Sequence, residues 1–207
     1  MLLAERLALL LLEPRRGSVP ADSALHLQTL FGAALLADLV LIGRLRARAG
    51  RCYMDDALPL AHPLLSELQR LLGAGPLSAS VCLARTSHGL PRLRERLLDA
   101  LARRDLVHRV PRIRLLPRAG LRYPLRSQQA HAQVLTELQH AARNAASSVD
   151  YALLILADSA GLLRVLPADL HSAAYAALGQ LDNDAATLDE NLAALALLRQ
   201  ALLDGEG

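Results

Sequence analysis

The sequence has no lysine and no tryptophan, and one phenylalanine and four tyrosines make up all its aromatics, 2% of the chain. Every one of the 23 basic side chains is therefore an arginine. A GC-rich genome accounts for that usage, but a physical consequence remains. Planar guanidinium groups grip phosphate and carboxylate through paired donors better than an ammonium does. Cysteine is nearly absent: Cys52 and Cys82 stand alone, without Cys/His ligand spacing, so a zinc motif is excluded and a reduced pair is expected. The chain also lacks a long apolar run. Its best candidate, residues 30–43, is interrupted by Asp38 and falls short of the roughly 20 residues a membrane span requires. The start has no basic region ahead of an apolar core, so no secretory signal is expected.

Catalytic signatures are missing too. There is no G-x-S-x-G, HExxH, P-loop or dinucleotide glycine pattern. The seven histidines, at 26, 62, 88, 108, 131, 140 and 171, are scattered. Asp182-Asn183-Asp184 opens like a calcium loop but lacks its later glycine and glutamate. Asp55-Asp56 reads as a solvated turn. No catalytic residue, metal or cofactor is expected, and the chain reads as a non-enzyme.

What the sequence has in quantity is leucine, alanine and unevenly placed charge. Its 207 residues, 53% hydrophobic, suit one domain with a sizeable core, and Leu and Ala favour helices over strands. The net charge of +3 hides a polarised chain. Residues 85–126 hold twelve arginines against Glu95, Asp99 and Asp105, whereas residues 127–207 hold three arginines against ten acids. A concentrated basic surface attracts an anionic membrane, a nucleic acid or an acidic partner.

Periodicity and punctuation predict a mostly α fold: a single compact helical domain with a basic β-hairpin. Helices are expected over 2–12, 22–42 (capped by Asp22 or Ser23 and ended by Gly43), 63–72, 90–104, 127–146, 150–165 and 167–178. Thr187 to Glu190 reads as a capping box opening a last helix. The alternation of Arg46, Arg48 and Arg51 with Leu45, Ala47 and Ala49 suggests a short strand pair over 45–54. Residues 78–84 are ambiguous. Pro111 and Pro117 exclude a helix over 106–123, where alternating apolar residues around Arg-Ala-Gly at 118–120 suggest a hairpin. The domain spans 1–182, with 183–207 forming a C-terminal capping helix and short tail. Asp38 and Asp158, inside apolar helices, are expected on a polar edge or paired with an arginine, because a lone buried carboxylate costs several kcal/mol or more.

The basic helix and hairpin admit two functional readings besides a solvated surface. In the first they form a membrane-surface hook. Arg109, Arg112, Arg114, Arg118 and Arg122 ring a tip carrying Leu115, Leu116 and Pro117, joining charge to insertion as stable anchoring requires. In the second they form a winged helix on nucleic acid, with Arg92 and Arg96 at phosphates or guanine edges. Against the second, residues 90–104 lack Asn and Gln base-readers, and the acidic last third repels DNA.

Four segments in order carry a family resemblance: LAERLALLLL at 3–12, GAALLADLVLIGRL at 32–45, LRERL at 93–97 followed by Leu106-Val107, and DYALLILADS at 150–159. Together they resemble the Golgi phosphoprotein 3 family and its bacterial relatives over roughly residues 2–180. The resemblance implies a mostly helical, cytoplasmic, peripheral membrane protein that recognises an anionic lipid headgroup, phosphatidylinositol 4-phosphate or similar, and inserts a hydrophobic hairpin. The family's eukaryotic pocket uses one Trp and three Arg. Aligned without gaps, those positions fall on Asp22, Phe31, Pro91 and Arg94, so only Arg94 keeps the residue type, with Arg92 beside the Pro91 position. The expected headgroup contacts are thus Arg92 and Arg94. The expected membrane contacts are Arg109, Arg112, Arg114, Leu115, Leu116 and Arg118. The expected partner is an anionic phospholipid surface; a protein partner or homo-oligomer is a further possibility, and nucleic acid is the alternative.

Overall fold

A computed structural model describes residues 1–19, 24–55, 59–111, 121–183 and 189–205. The elements run α1 (Leu3–Leu11), α2 (Ala24–Leu41), β1 (Leu45–Arg48), β2 (Arg51–Met54), α3 (Pro63–Leu72), α4 (Ala79–Gly89), α5 (Leu93–Arg103), β3 (Val110–Pro111), β4 (Leu121–Arg122), α6 (Gln128–Asn144) and α7 (Ser148–Ser159). A 3-10 turn (Leu162–Val165), α8 (Ala168–Asn183) and α9 (Glu190–Asp204) follow. The fold is thus a mostly helical domain with two small antiparallel hairpins, β1–β2 and β3–β4.

Helix α2 is the axis. Every residue from Leu30 to Val40 is buried, with no solvent-facing side, as suits a helix that is apolar all round. Around it pack α1, α4, α5, α7 and α9. The core is mostly leucine and alanine, with Phe31 its one phenylalanine. Small residues let helices approach closely: a Cβ added at Gly32 would lie 3.2 Å from Thr86 Cγ2 of α4. A Schellman turn closes α2, with Arg44 N–H donating to Leu39 O and Gly43 N–H to Val40 O. The chain then enters β1–β2, which pairs Leu45 with Met54 and Arg48 with Arg51. Ala49 and Gly50, both at positive φ, make its two-residue turn.

Several expectations need correcting. Residues 79–89 are helical, with Ser78 Oγ accepting from Val81 N–H at the N-cap. Helix α5 starts at Leu93 rather than Leu90, because Arg92 adopts a left-handed conformation, φ 56°. The helix expected over 150–165 stops at Ser159. Gly161, at φ 67°, turns the chain into the short 3-10 segment, and α8 then runs on to Asn183. Asp189, not Thr187, caps α9, accepting from Asn191 and Leu192 N–H. Asp22, Ser23, Asp56, Asp184, Thr187 and Leu188 lie outside the described residues.

Asp38 corrects the reading more deeply. It is neither at a polar edge nor paired with an arginine. It is buried, and its two oxygens accept from Leu3 N–H (2.7 Å) and Ala4 N–H (3.2 Å) at the start of α1. Glu5 accepts from Leu2 N–H at 2.9 Å, so two buried carboxylates satisfy three amides that the helix itself leaves without partners. Asp158 keeps to expectation: Arg199 lies 3.8 Å away, and Tyr175 Oη donates to it at 2.8 Å.

Burial pushes the Asp38 carboxyl up to about 7. The two amide bonds oppose that rise, and the nearby Glu5 adds to it. The unfolded chain releases this proton near pH 4, so between roughly pH 4 and 7 the folded state binds more protons and stability falls as pH rises. Asp38→Asn keeps a carbonyl acceptor and has no proton to lose. Urea unfolding at pH 5 and pH 8 should show the wild type losing on the order of 3 kcal/mol relative to Asp38→Asn. A difference that stays constant with pH refutes the account.

Candidate functional site

The basic segment folds as α5, then the β3–β4 hairpin, with its return strand laid against the α1–α2 loop. Leu93, Leu97, Leu98 and Leu101 bury one face of α5, as their spacing predicts. The hairpin pairs Val110 with Arg122 and Pro111 with Leu121, and its root continues as a bridge between Val107 and Leu125. Tyr123 N–H donates to Gly17 O at 2.9 Å, and Leu125 N–H donates to Pro14 O at 3.2 Å. The approach is so close that a Cβ on Gly17, itself at φ +62°, would lie 2.1 Å from Pro124 N. Only glycine fits there.

Asp99 joins helix to hairpin. Its Oδ1 accepts from Tyr123 Oη at 2.9 Å and lies 3.1 Å from Arg109 Nε. Burial, then the adjacent carboxylate, pushes the Tyr123 phenol above its usual value. One carboxylate thus ties the outgoing and returning strands to α5.

The other arginines are largely engaged inside the protein. Arg85 donates to Leu72 O at the end of α3 (2.9 Å), Arg96 pairs with Glu67, Arg104 with Glu5 (2.8 Å) and Arg126 with Asp105. The Arg96 bond holds the Glu67 carboxyl below its usual value. Arg94 reaches only its neighbour Glu95, at 3.0 Å, and both side chains are over a third exposed. Arg92, Arg103 and Arg122 are exposed, with no ion pair among the described residues.

Of the residues expected to contact lipid, Arg92 and Arg94 come together at the N-terminus of α5, where no side chain caps the first amides. Arg109 sits at the hairpin root against Asp99. Arg112, Arg114, Leu115, Leu116 and Arg118 lie outside the described residues. The apolar Val110 and Leu121, which the sequence reading did not assign to the surface, are 42% and 39% exposed beside Arg109 and Arg122. Phe31 is fully buried in the core, so the family pocket position it occupies offers a ligand nothing. Sequence reasoning also missed the uncapped start of α5. Its signal was Pro91, which disfavours helical geometry at the residue before it.

The profile of Golgi phosphoprotein 3 (GPP34) matches residues 3–203. The chain belongs to the Golgi phosphoprotein 3 family. Members of the GPP34 family are known as peripheral Golgi proteins that bind phosphatidylinositol 4-phosphate, and they are generally non-enzymatic. No curated protein matches the chain. Among the described residues no helix is long and apolar enough to cross a membrane, and no His, Cys, Asp and Glu group has the geometry to hold a metal ion.

The Asp99 clamp makes a prediction within this GPP34 fold. Asp99→Ala should free Tyr123 Oη and Arg109, raising amide exchange at 107–110 and 121–125 while lowering global stability by only about 1–2 kcal/mol. Exchange that rises uniformly along the chain would show that Asp99 supports the whole fold rather than the hairpin.

Proposed function

We propose that the protein is a non-enzymatic peripheral protein of the cytoplasm that binds an anionic lipid headgroup, phosphatidylinositol 4-phosphate or a similar phosphate-bearing lipid, at the N-terminus of α5. The observation that carries this reading is the uncapped helix start flanked by Arg92 and Arg94. Free amides at a helix N-terminus favour a phosphate, and two guanidinium groups beside them add charge and directed donors. Arg92 holds a left-handed backbone that bulky residues seldom adopt, and this sets its side chain apart from the helix face.

The hairpin supplies the second attachment. Helix α5, eleven residues long, separates the headgroup site from the hairpin root by roughly 15 Å. Both reach one bilayer when α5 lies close to parallel with it. Arg109, Arg112, Arg114 and Arg118 then contribute ~1 kcal/mol each near an anionic leaflet, and Leu115 and Leu116 ~1.5–3 kcal/mol each on full burial. Exposed Val110 and Leu121 extend the apolar edge. Engagement of Arg96 with Glu67 and of Arg104 with the buried Glu5 occupies two of the cations that would track a nucleic-acid backbone.

Flotation on liposomes of varied headgroup tests both parts. Arg92→Ala with Arg94→Ala should erase selectivity among anionic lipids and weaken binding roughly 30-fold. Leu115→Ser with Leu116→Ser should lower binding at least about tenfold on every anionic membrane, with the melting curve unchanged. Persistent selectivity in the arginine variant puts the pocket elsewhere, and unchanged binding in the leucine variant removes the insertion step.

A further inference from the structure

The β1–β2 hairpin carries a charged face that the lipid reading does not use. Alternation turns Leu45, Ala47, Cys52 and Met54 inward and Arg46, Arg48, Arg51 and Tyr53 outward. The register sets Arg46 opposite Tyr53 and Arg48 opposite Arg51. Like charges directly opposite each other destabilise a strand pair, and among the described residues no carboxylate pairs with Arg51. Glu190, the first residue of α9, reaches the hairpin from outside. Its Oε1 lies 2.7 Å from Arg48 Nε and its Oε2 3.7 Å from Arg46 Nη1. One oxyanion thus sits between two guanidinium groups, each facing a separate oxygen. Beside it opens a cavity of about 310 Å³, lined by Arg46, Arg48, Tyr53, Met54 and Asp55. Tyr53 is 38% exposed there, and the Asp55 carboxylate is offset by Arg44 at 3.6 Å.

We infer that this face is a second anion site, taking a phosphate monoester in exchange for Glu190. A phosphate monoester brings close to two charges and three acceptor oxygens to the pair of arginines, against one charge and two oxygens for the glutamate. Arg51 adds charge that no carboxylate among the described residues pairs with, and the ring of Tyr53 gives the esterified group an apolar wall. Glu190 is the resident competitor that keeps Arg46 and Arg48 in position when the site is empty. The inference stands apart from the lipid reading, because its residues belong to β1, β2 and α9 rather than to α5 and β3–β4.

The test follows the arginine Nε–Hε correlations of Arg46 and Arg48 by NMR as inorganic phosphate is added, with sodium chloride at matched ionic strength as the control. Phosphatidylcholine vesicles with and without phosphatidic acid are floated in parallel. Glu190→Gln removes an ion pair whose partners are both substantially exposed, so the variant folds, and circular dichroism melting verifies that. It should bind roughly fivefold tighter than wild type, and Arg48→Ala should abolish the response. A gain with inorganic phosphate alone assigns a soluble ester, and a gain on phosphatidic acid vesicles assigns a lipid headgroup. No gain in either arm, an equal response to chloride, or a response that survives Arg48→Ala overturns the inference. None of these outcomes touches Arg92 or Arg94, so the two readings fail separately.

Discussion

A carboxylate buried in the last turn of α2 decides where the first helix can begin. Asp38 is buried without an arginine partner among the described residues, and the groups that satisfy it are the first amides of α1. That requirement pins the start of α1 against the C-terminal turn of α2 and fixes its rotation. Glu5 then faces the end of α5, where it holds Arg104, and Arg6 faces α6, where Glu137 lies 3.2 Å away. The basic helix is thus linked, through α1, to the one carboxylate of α2. The leucine and alanine around it give α2 little directional preference of its own. Such a core packs well in more than one rotation, and a buried polar contact selects among them.

Charge on this chain is organised by pairing more than by accumulation. The sequence concentrates arginine over 85–126, yet the fold brings Glu5 and Glu67 in from outside that segment to join Asp99 and Asp105. Arg85 is turned to a helix C-terminus, where a cation is stabilised by the exposed carbonyls. The field presented outward is correspondingly smaller than the local sequence charge. Among the described residues Arg92 at the start of α5, Arg103 at its end and Arg122 on the hairpin meet no carboxylate, and Arg94 meets only the adjacent, exposed Glu95. A polar end and an apolar-edged end are what a surface helix needs to sit against a headgroup layer with some orientation.

The sequence made the repeating elements legible because their rules are local. The Leu93, Leu97, Leu98 and Leu101 spacing, the Ser127 cap accepting from Ala130 N–H, and the alternation over 45–54 each depend on neighbours within a turn or a pleat. Residues 78–84 were ambiguous because serine, cysteine and valine have weak helix preference, and the helix over Ala79–Gly89 stands on its Ser78 cap and on packing against α2 and α3. The break after Ser159 was hidden because leucines on both sides keep the apolar periodicity across Gly161. The partners of Asp38 were beyond reach for a different reason: they are backbone amides 34 and 35 residues away, and no side chain in the sequence marks them. At the candidate site the residue types were legible and their engagement was not. Nothing local reveals that Arg104 meets Glu5 across 99 residues while Arg92 meets no carboxylate among those described.

Burial sorts the ion pairs of this molecule into fixed and exchangeable ones. Arg199 with Asp158, 13% and 18% exposed, is shut away between α7 and α9, and Glu5 is almost wholly enclosed under Arg104. Breaking such a pair strands a desolvated charge and costs about 3–5 kcal/mol, so these pairs are parts of the fold. Arg94 with Glu95, and Arg48 with Glu190, are open to water on both sides and contribute about 0–1 kcal/mol each. A doubly charged phosphate at the same guanidinium gains more than that, through charge and through paired donors. An internal carboxylate of this second kind holds the arginine in a useful rotamer without holding it tightly. In a chain whose every cation is an arginine, that distinction between enclosed and open carboxylates separates the residues that build the protein from those left to meet an anion.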